Sequence, residues 1–150
     1  MPEKQNTEYK SSWHEEYLDW ICGFANAQGG KIYIGKDDHG NVVGIADYKE
    51  LMEKIPNKIK NLLGITAEVN LLQEDDKHYI EIVVAPYSVP ISLRGRYFYR
   101  TGSVKQELTG AALNEFLLKR AGRTWDDVIE PRATFADIDE NRNFRFKYMV

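Results

Sequence analysis

The sequence lacks long apolar runs, a pair of cysteines and an N-terminal secretory signal. Its 150 residues contain no run of about 18 apolar residues, the length that a transmembrane helix requires. The N-terminus MPEKQNTEYK is polar and has no apolar segment of the kind found in secretory signals. The one cysteine, Cys22, lies among apolar residues and predicts a core position in a reducing compartment. We therefore expect a cytoplasmic protein that does not enter a membrane.

The sequence has no excess of basic charge either. Its formal net charge is −3, whereas affinity for phosphate comes from clustered Lys and Arg. Basic residues gather at 94–105 and 119–123, while acidic residues collect at 74–76, 126–127 and 137–140. The chain has no phosphate-binding loop of the form GxxxxGKS or GxxxxGKT, which argues against nucleotide hydrolysis. The charge distribution leaves room for a local basic face but does not by itself predict one.

The spacing of the apolar residues predicts an α+β domain with helices packed on a mixed or antiparallel sheet. Helical patterns cover 12–27, a segment that starts at Asp47 and is interrupted at Pro56, and 109–121, where Gly122 is expected to stop the helix. Strand patterns cover 31–35, 42–43, 66–73, 77–85, 91–93 and 96–101. We expect one domain over 1–122, followed by an extension or linker over 123–150, in a fragment of a longer protein.

Residues 24–44, FANAQGGKIYIGKDDHGNVVG, form the most informative segment. An apolar-faced helix runs into Gly29-Gly30, which lets the backbone adopt positive φ and brings helix and strand close together. A short strand follows, and then the carboxylates Asp37 and Asp38 and a turn that contains Gly40. This order places Asp38 at a strand end, where a carboxylate can face a cleft.

Three segments together resemble the Schlafen AlbA-like domain, over about residues 3–121. They are Glu3-x4-Glu8-Tyr9-Lys10, then Phe24-Ala25-Asn26-x2-Gly29-Gly30 running on to Ile34-Gly35-x-Asp37-Asp38-x-Gly40, and Tyr99-Arg100-x-Gly102-Ser103. The resemblance implies a DNA-binding or RNA-binding domain in the N-terminal part of a bacterial transcriptional regulator. Lys36 departs from the family pattern, which usually has an aliphatic residue at that position.

The same resemblance implies an alternative, because some Schlafen proteins cut tRNA and rRNA with three carboxylates. The matching residues are Glu3, Glu8 and Asp38, and Glu8 and Asp38 would hold Mg²⁺ or Mn²⁺, the hard cations that carboxylates and phosphates bind together. The two could converge if residues 8–10 form an edge strand beside 31–35. Otherwise Glu8 and Lys10 are exposed strand charges and Asp37 and Asp38 form a turn. We expect no cofactor outside this nuclease alternative.

The basic segment around Arg94-Gly95 is predicted to form a hairpin between 91–93 and 96–101. Strand alternation places Arg96, Phe98 and Arg100 on one face. Arginine binds phosphate through two hydrogen bonds, and aromatic rings stack on unpaired bases. The predicted nucleic-acid contacts are Lys10, Lys36, Arg94, Arg96, Arg100, Ser103 and Lys105.

Two alternatives to this basic hairpin stay open. The arginines could pair with Glu81 or Glu107 across the sheet, with the tyrosines in the core. The domain could also be a protein-interaction or homodimerisation module whose acidic surface does not bind nucleic acid, in agreement with the net charge.

Overall fold

The computed structural model of the chain describes residues 6–101 and 104–128. Its strands are β1 (Thr7–Lys10), β2 (Gly30–Ile34), β3 (Glu68–Glu74), β4 (Lys77–Val84), β5 (Tyr97–Thr101) and β6 (Val104–Leu108). Its helices are α1 (Leu18–Asn26), α2 (Tyr48–Lys58) and α3 (Gly110–Val128), with a 3₁₀ turn at Glu15–Tyr17 and a π-helical turn at Ile59–Leu63. The predicted α+β class is confirmed.

Four strands form a mixed sheet in the order β1-β2-β4-β3, and β5 and β6 form a separate antiparallel hairpin. β1 runs parallel to β2, while β4 is antiparallel to both β2 and β3. The edge strand at residues 8–10 that the nuclease alternative required is therefore present. A turn through Asp75 and Asp76, both at positive φ, joins β3 to β4, as the polar segment between the two strand patterns indicated.

The core lies on one face of the four-stranded sheet. Alternate residues of the two central strands, Ile32 and Ile34 in β2 and Ile80 and Ile82 in β4, are completely buried. The apolar residues of α1 and α2 pack against this face, and α1 also packs against β5. Burial of apolar side chains on a single face is the main stabilising term for such a layered domain.

The glycine pair sets the distance between α1 and β2. Gly29 has φ +78°. A Cβ atom on Gly30 would lie 2.3 Å from the Phe24 ring and 2.7 Å from the Asn6 carbonyl oxygen. Only a glycine at position 30 allows this close approach, so the predicted helix-to-strand packing is confirmed.

Five predicted elements differ from the structure. The hairpin predicted between 91–93 and 96–101 is reduced to one bridge, Leu93↔Arg96, because residues 97–101 pair with β6 instead. The helix predicted over 12–27 becomes α-helical only at Leu18, after the 3₁₀ turn, and residues 42–43 contribute one isolated bridge instead of a strand. α2 continues through Pro56, and the irregular π-helical turn follows at Ile59–Leu63. α3 continues past Gly122, which lies in open space without positive φ, so the predicted stop there is wrong.

The strand β6 was not predicted. Its sequence VKQEL has only its two end residues apolar, and most of its side chains are exposed. A strand of that kind produces no apolar alternation. It forms because β5 offers it a full set of hydrogen-bonding partners from Tyr97↔Leu108 to Thr101↔Val104.

Candidate nucleic-acid interface

Glu8 of β1 and Arg100 of β5 meet in a buried ion pair. The Arg100 Nη2 atom donates to Glu8 Oε2 at 2.8 Å, and the side chains of Arg100 and Glu8 are only 2% and 3% exposed. The guanidinium carbon lies 4.4 Å from the centre of the Phe24 ring. The Lys10 ammonium lies 3.5 Å from the other Glu8 oxygen. Both oxygens of Glu8 therefore have a cationic partner.

This burial bears on two predicted roles. The alternative that Glu8 is an exposed strand charge is wrong, because this residue is only 2% exposed. Arg100, predicted as a phosphate contact, points with Phe98 toward the core, since both residues are buried on the inner side of β5. In this arrangement the Arg100 guanidinium has no surface on which a phosphate could lie.

The other predicted metal ligands are placed differently from Glu8. Asp38 is exposed in the turn after β2, and Glu3 lies outside the described residues. The neighbouring Asp37 accepts hydrogen bonds from the backbone N–H groups of Asn41 and His39, both at 2.9 Å, which lower the pKa of its carboxyl group. The alternative of a turn formed by Asp37 is thus confirmed. Among residues 6–101 and 104–128, no three His, Cys, Asp or Glu residues are grouped so as to hold a metal ion.

The hairpin cations are paired with acids at the surface. Arg96 donates through Nε and Nη2 to Glu107 at 3.1 and 2.8 Å, which confirms the predicted alternative of pairing across the strands. The hydrogen bond from Arg96 lowers the pKa of Glu107 and in turn raises the pKa of Arg96. Arg94 lies 3.9 Å from Glu15. The side chains of Arg94 and Arg96 are 58% and 56% exposed, so these pairs are accessible to a competing anion.

Lys105 completes the basic group of the hairpin. Its ammonium lies 3.4 Å from Asp19 and over the rings of Trp20 and Phe98. The Lys10 ammonium also lies over the Trp20 ring, at 5.2 Å, so β1 and β6 direct cations to the same indole. Ser103, the last predicted contact residue, lies outside the described residues.

The opposite face of the four-stranded sheet carries aromatic side chains. Tyr9, Tyr33 and Tyr79 alternate with buried residues of β1, β2 and β4, and each tyrosine is half-buried. The ring centres of Tyr9 and Tyr33 are 5.9 Å apart, and those of Tyr33 and Tyr79 are 6.3 Å apart. We call the surface formed by Tyr9, Tyr33, Tyr79 and Lys36 the open face, because the helices contact the sheet from the other side. An open groove of about 470 Å³ runs along it past Gly29 and Lys31.

Lys36 lies at the centre of the open face. Its ammonium is 4.2 Å from the centre of the Tyr33 ring, 5.0 Å from that of Tyr79 and 5.6 Å from that of Tyr9. No carboxylate of the described residues forms an ion pair with it. Every other predicted contact cation in the described chain has such a partner. Lys36 is therefore the predicted contact residue best able to accept a new anion.

Hydrogen bonds hold the open face in place. The Tyr33 hydroxyl donates to Glu81 at 2.9 Å, and Asn70 donates to the other Glu81 oxygen at 3.0 Å. Burial, together with the hydrogen bond to Glu81, raises the pKa of Tyr33 well above its ordinary value. Burial would raise the pKa of Glu81, but the hydrogen bonds from Asn70 and Tyr33 and the nearby Lys31 outweigh it, so the pKa is lowered. Tyr33 is thus neutral and Glu81 ionised near neutral pH.

Sequence reasoning missed the residue that attaches the hairpin to α1. Asn26 is completely buried, its amide nitrogen donates to the carbonyls of Ile91 and Phe98 at 2.8 Å, and its amide oxygen accepts from the Ile91 N–H at 2.7 Å. Arg120 of α3 donates to the backbone carbonyls of Asn26 and Tyr87. An asparagine on the apolar side of a predicted helix was the available signal, because a buried amide requires partners from elsewhere in the chain.

Comparison with known proteins places this fold and this motif set in one family. The sequence matches the family described as Schlafen, AlbA_2 over residues 3–109, and the chain belongs to that family. The resemblance to the Schlafen AlbA-like domain is thereby confirmed. Comparison with the sequences of curated proteins gives no significant match.

Two solved structures have a similar fold. The DIP2311 protein from Corynebacterium diphtheriae aligns with a TM-score of 0.57 and 18% identity, over 69% of this chain and 25% of that protein. The N-terminal domain of an ATP-dependent DNA helicase RecG-related protein from Nitrosomonas europaea aligns with a TM-score of 0.51 and 21% identity, over 73% of this chain and 87% of that domain. The match thus spans a quarter of the first relative and most of the second. In the described part of this chain, every helix is too short or too polar to cross a bilayer.

Proposed function

We propose that this chain is a nucleic-acid-binding domain, forming the N-terminal part of a bacterial transcriptional regulator. Membership of the Schlafen, AlbA_2 family supports a role connected with nucleic acid, and the name of the RecG-related relative agrees with it. The observation that carries the proposal is the exposure of Arg94 and Arg96, whose side chains are more than half exposed in the turn that leads into β5.

The ion pairs of the hairpin are compatible with binding, because a phosphate can replace an exposed carboxylate. An ion pair in water contributes little to stability, since each charge gives up hydration to form it. A phosphate offers Arg96 the same two-point geometry that Glu107 now provides. The polyanion supplies many such groups and releases counterions on binding, which an isolated Glu107 does not.

Arg100 has a different part in this proposal. Its buried pair with Glu8 fixes β5 to β1 and so positions the strand that directly follows the exposed Arg96. We therefore assign phosphate contacts to Arg94, Arg96 and Lys105, with Lys36 on the open face, and an anchoring role to Arg100.

A salt titration of binding tests the proposal. The domain is titrated against duplex DNA and tRNA at two salt concentrations, and the slope of log affinity against log salt is expected to steepen by about 0.9 for each duplex phosphate neutralised. Arg96→Gln should weaken binding and flatten the slope, whereas Lys77→Gln, an equal charge change in the β3-β4 hairpin, should leave both almost unchanged. A slope near zero for the unmodified domain would reject the proposal.

The same titration with and without Mn²⁺ addresses the two alternatives. Metal-dependent cuts in tRNA that Asp38→Ala abolishes would replace the proposal with the endoribonuclease. That alternative receives less support, because both oxygens of Glu8 already contact cations. No binding to any nucleic acid, together with a dimer in analytical ultracentrifugation, would replace it with the interaction domain.

A further inference from the structure

The open face combines aromatic rings, a cation that has no acid partner within residues 6–101 and 104–128, and an adjoining groove. Tyr9, Tyr33 and Tyr79 come from three neighbouring strands and form one continuous row. Their half-burial restricts the ring positions and leaves part of each tyrosine side chain exposed to solvent. Rigid rings on a β-sheet surface reduce the entropy lost when a flat ligand stacks on them.

From this surface we infer that the open face binds the unpaired bases of a single-stranded nucleic acid, with Lys36 contacting its phosphates. The inference rests on the proposed function and adds its substrate class. A single strand presents base faces that can stack on tyrosine, whereas the base faces of a duplex are covered by their neighbours. Stacking on tyrosine depends little on which base is stacked. The open face should therefore distinguish single strands from duplexes more strongly than it distinguishes one base sequence from another.

Lys36 covers the centre of the open face in the absence of a ligand. Its ammonium now covers the Tyr33 ring at 4.2 Å, the place that a stacked base would take. When a base stacks there, the ammonium loses a cation–π contact of modest strength and gains a phosphate. Because no carboxylate of the described chain holds Lys36, this exchange does not require an ion pair to break.

The groove supports the same ligand. It continues from Lys36 and Tyr33 past Lys31 to the backbone of Gly29 and Gly30. Lys31 is half exposed, and its ammonium is 3.7 Å from Glu81, a longer and weaker contact than the pair between Arg96 and Glu107. The groove therefore offers a second cation along the direction that a strand would follow beside the tyrosines.

A comparison of two oligomers separates stacking from phosphate contact. A short fluorescent oligothymidylate and an abasic oligomer of the same length carry the same charge, and only the first has bases. The unmodified domain should bind the oligothymidylate about tenfold more tightly or better, the effect expected from stacking even one base. Fluorescence anisotropy at one fixed salt concentration measures both affinities.

Two substitutions of one tyrosine supply the matched pair. Tyr33→Leu removes the ring and should abolish most of the preference for the oligothymidylate, while Tyr33→Phe removes only the hydroxyl and should keep it. Tyr79→Leu repeats the test if thermal unfolding shows that Tyr33→Leu does not fold. Lys36→Met keeps the apolar stem and should flatten the salt slope on the single strand by about 0.7.

The outcomes distinguish this inference from the proposed function. Equal affinity for both oligomers, with salt-sensitive binding retained, would overturn the inference and leave the proposed function standing. No binding to either oligomer, to duplex DNA or to tRNA would overturn both. A dimer that dissociates in Tyr33→Leu would also overturn the inference, because the open face would then be the interface between two copies.

Discussion

Arg100 and Glu8 are 92 residues apart in the sequence and form one hydrogen-bonded ion pair inside the protein. The pair connects β5 of the hairpin to β1 at the edge of the four-stranded sheet, beside the rings of Phe24 and Trp20. Glu8 and Arg100 belong to the first and third segments of the Schlafen AlbA-like resemblance, and the ion pair gives both a structural role in which neither faces a ligand. A charge that is buried this completely is stable only with its partner.

The first prediction concerns this buried pair. Arg100→Leu removes the buried partner of the Glu8 carboxylate and leaves Lys10 as its neighbouring cation among the described residues. The free energy of unfolding should fall by about 3–5 kcal/mol. Urea denaturation measures the change. The exposed Arg96→Leu serves as the control and should have a much smaller effect. The double variant Glu8→Leu/Arg100→Leu should be more stable than Arg100→Leu alone, and equal losses in all three variants would contradict this account.

The second prediction concerns the close approach of α1 and β2. Gly30→Ala places a methyl group 2.3 Å from the Phe24 ring, and the resulting overpacking should cost about 1–3 kcal/mol. Gly122→Ala is the matched control, because that glycine lies within α3 with no atom in reach, and alanine should stabilise the helix by up to about 1 kcal/mol. Thermal unfolding measures the stability of both variants. A Gly30→Ala variant as stable as the unmodified domain would disprove the packing argument.

The third prediction concerns the acid that pairs with Arg96. Glu107→Gln removes the competitor for the Arg96 guanidinium and one negative charge from the hairpin, so affinity for duplex DNA should rise and its salt slope should steepen. Because the pair is exposed, the stability of the domain should change little. Glu74→Gln, at the end of β3, makes the same charge change elsewhere. If both variants gain affinity equally, the gain reflects net charge and not the release of Arg96.

The fourth prediction concerns the single cysteine. Cys22 is completely buried, and burial raises the pKa of its thiol from 9.0 to about 11. The folded protein should therefore react very slowly with a maleimide at neutral pH and rapidly in urea. Between about pH 9 and 11 the unfolded thiol ionises while the folded one stays protonated, so stability should fall as pH rises through that window. Cys22→Ala should lack this component, and rapid labelling of the folded protein would contradict the burial.

The sequence predicted the regular part of the fold well. Alternation of Ile80 and Ile82 with Tyr79 and Glu81 correctly indicated a strand with one buried face. The glycine pair and the Asp37 turn were read correctly because each depends on local backbone geometry. Strand β6 escaped prediction because its stability comes from the partner strand and not from its own side chains.

The candidate site was harder to predict, because it depends on which face of each strand turns inward. Strand alternation placed Arg96, Phe98 and Arg100 on one face. It does not predict which face is buried, and so it did not show that Phe98 and Arg100 point toward the core. The open face was missed for a related reason. Tyr9, Tyr33 and Tyr79 lie far apart in the sequence, and only the order β1-β2-β4 brings them together.

The hydrogen bonds of Asn26 have a consequence for how the domain moves. One helical side chain satisfies backbone groups of Ile91 and Phe98, which belong to the loop and strand that carry the basic hairpin. Separating that hairpin from α1 would leave these buried polar groups without partners, at a cost of about 1–3 kcal/mol for each group. The hairpin and α1 should therefore unfold locally as a single cooperative unit. A ligand that binds to the hairpin should also reduce the motion of α1, and the reverse.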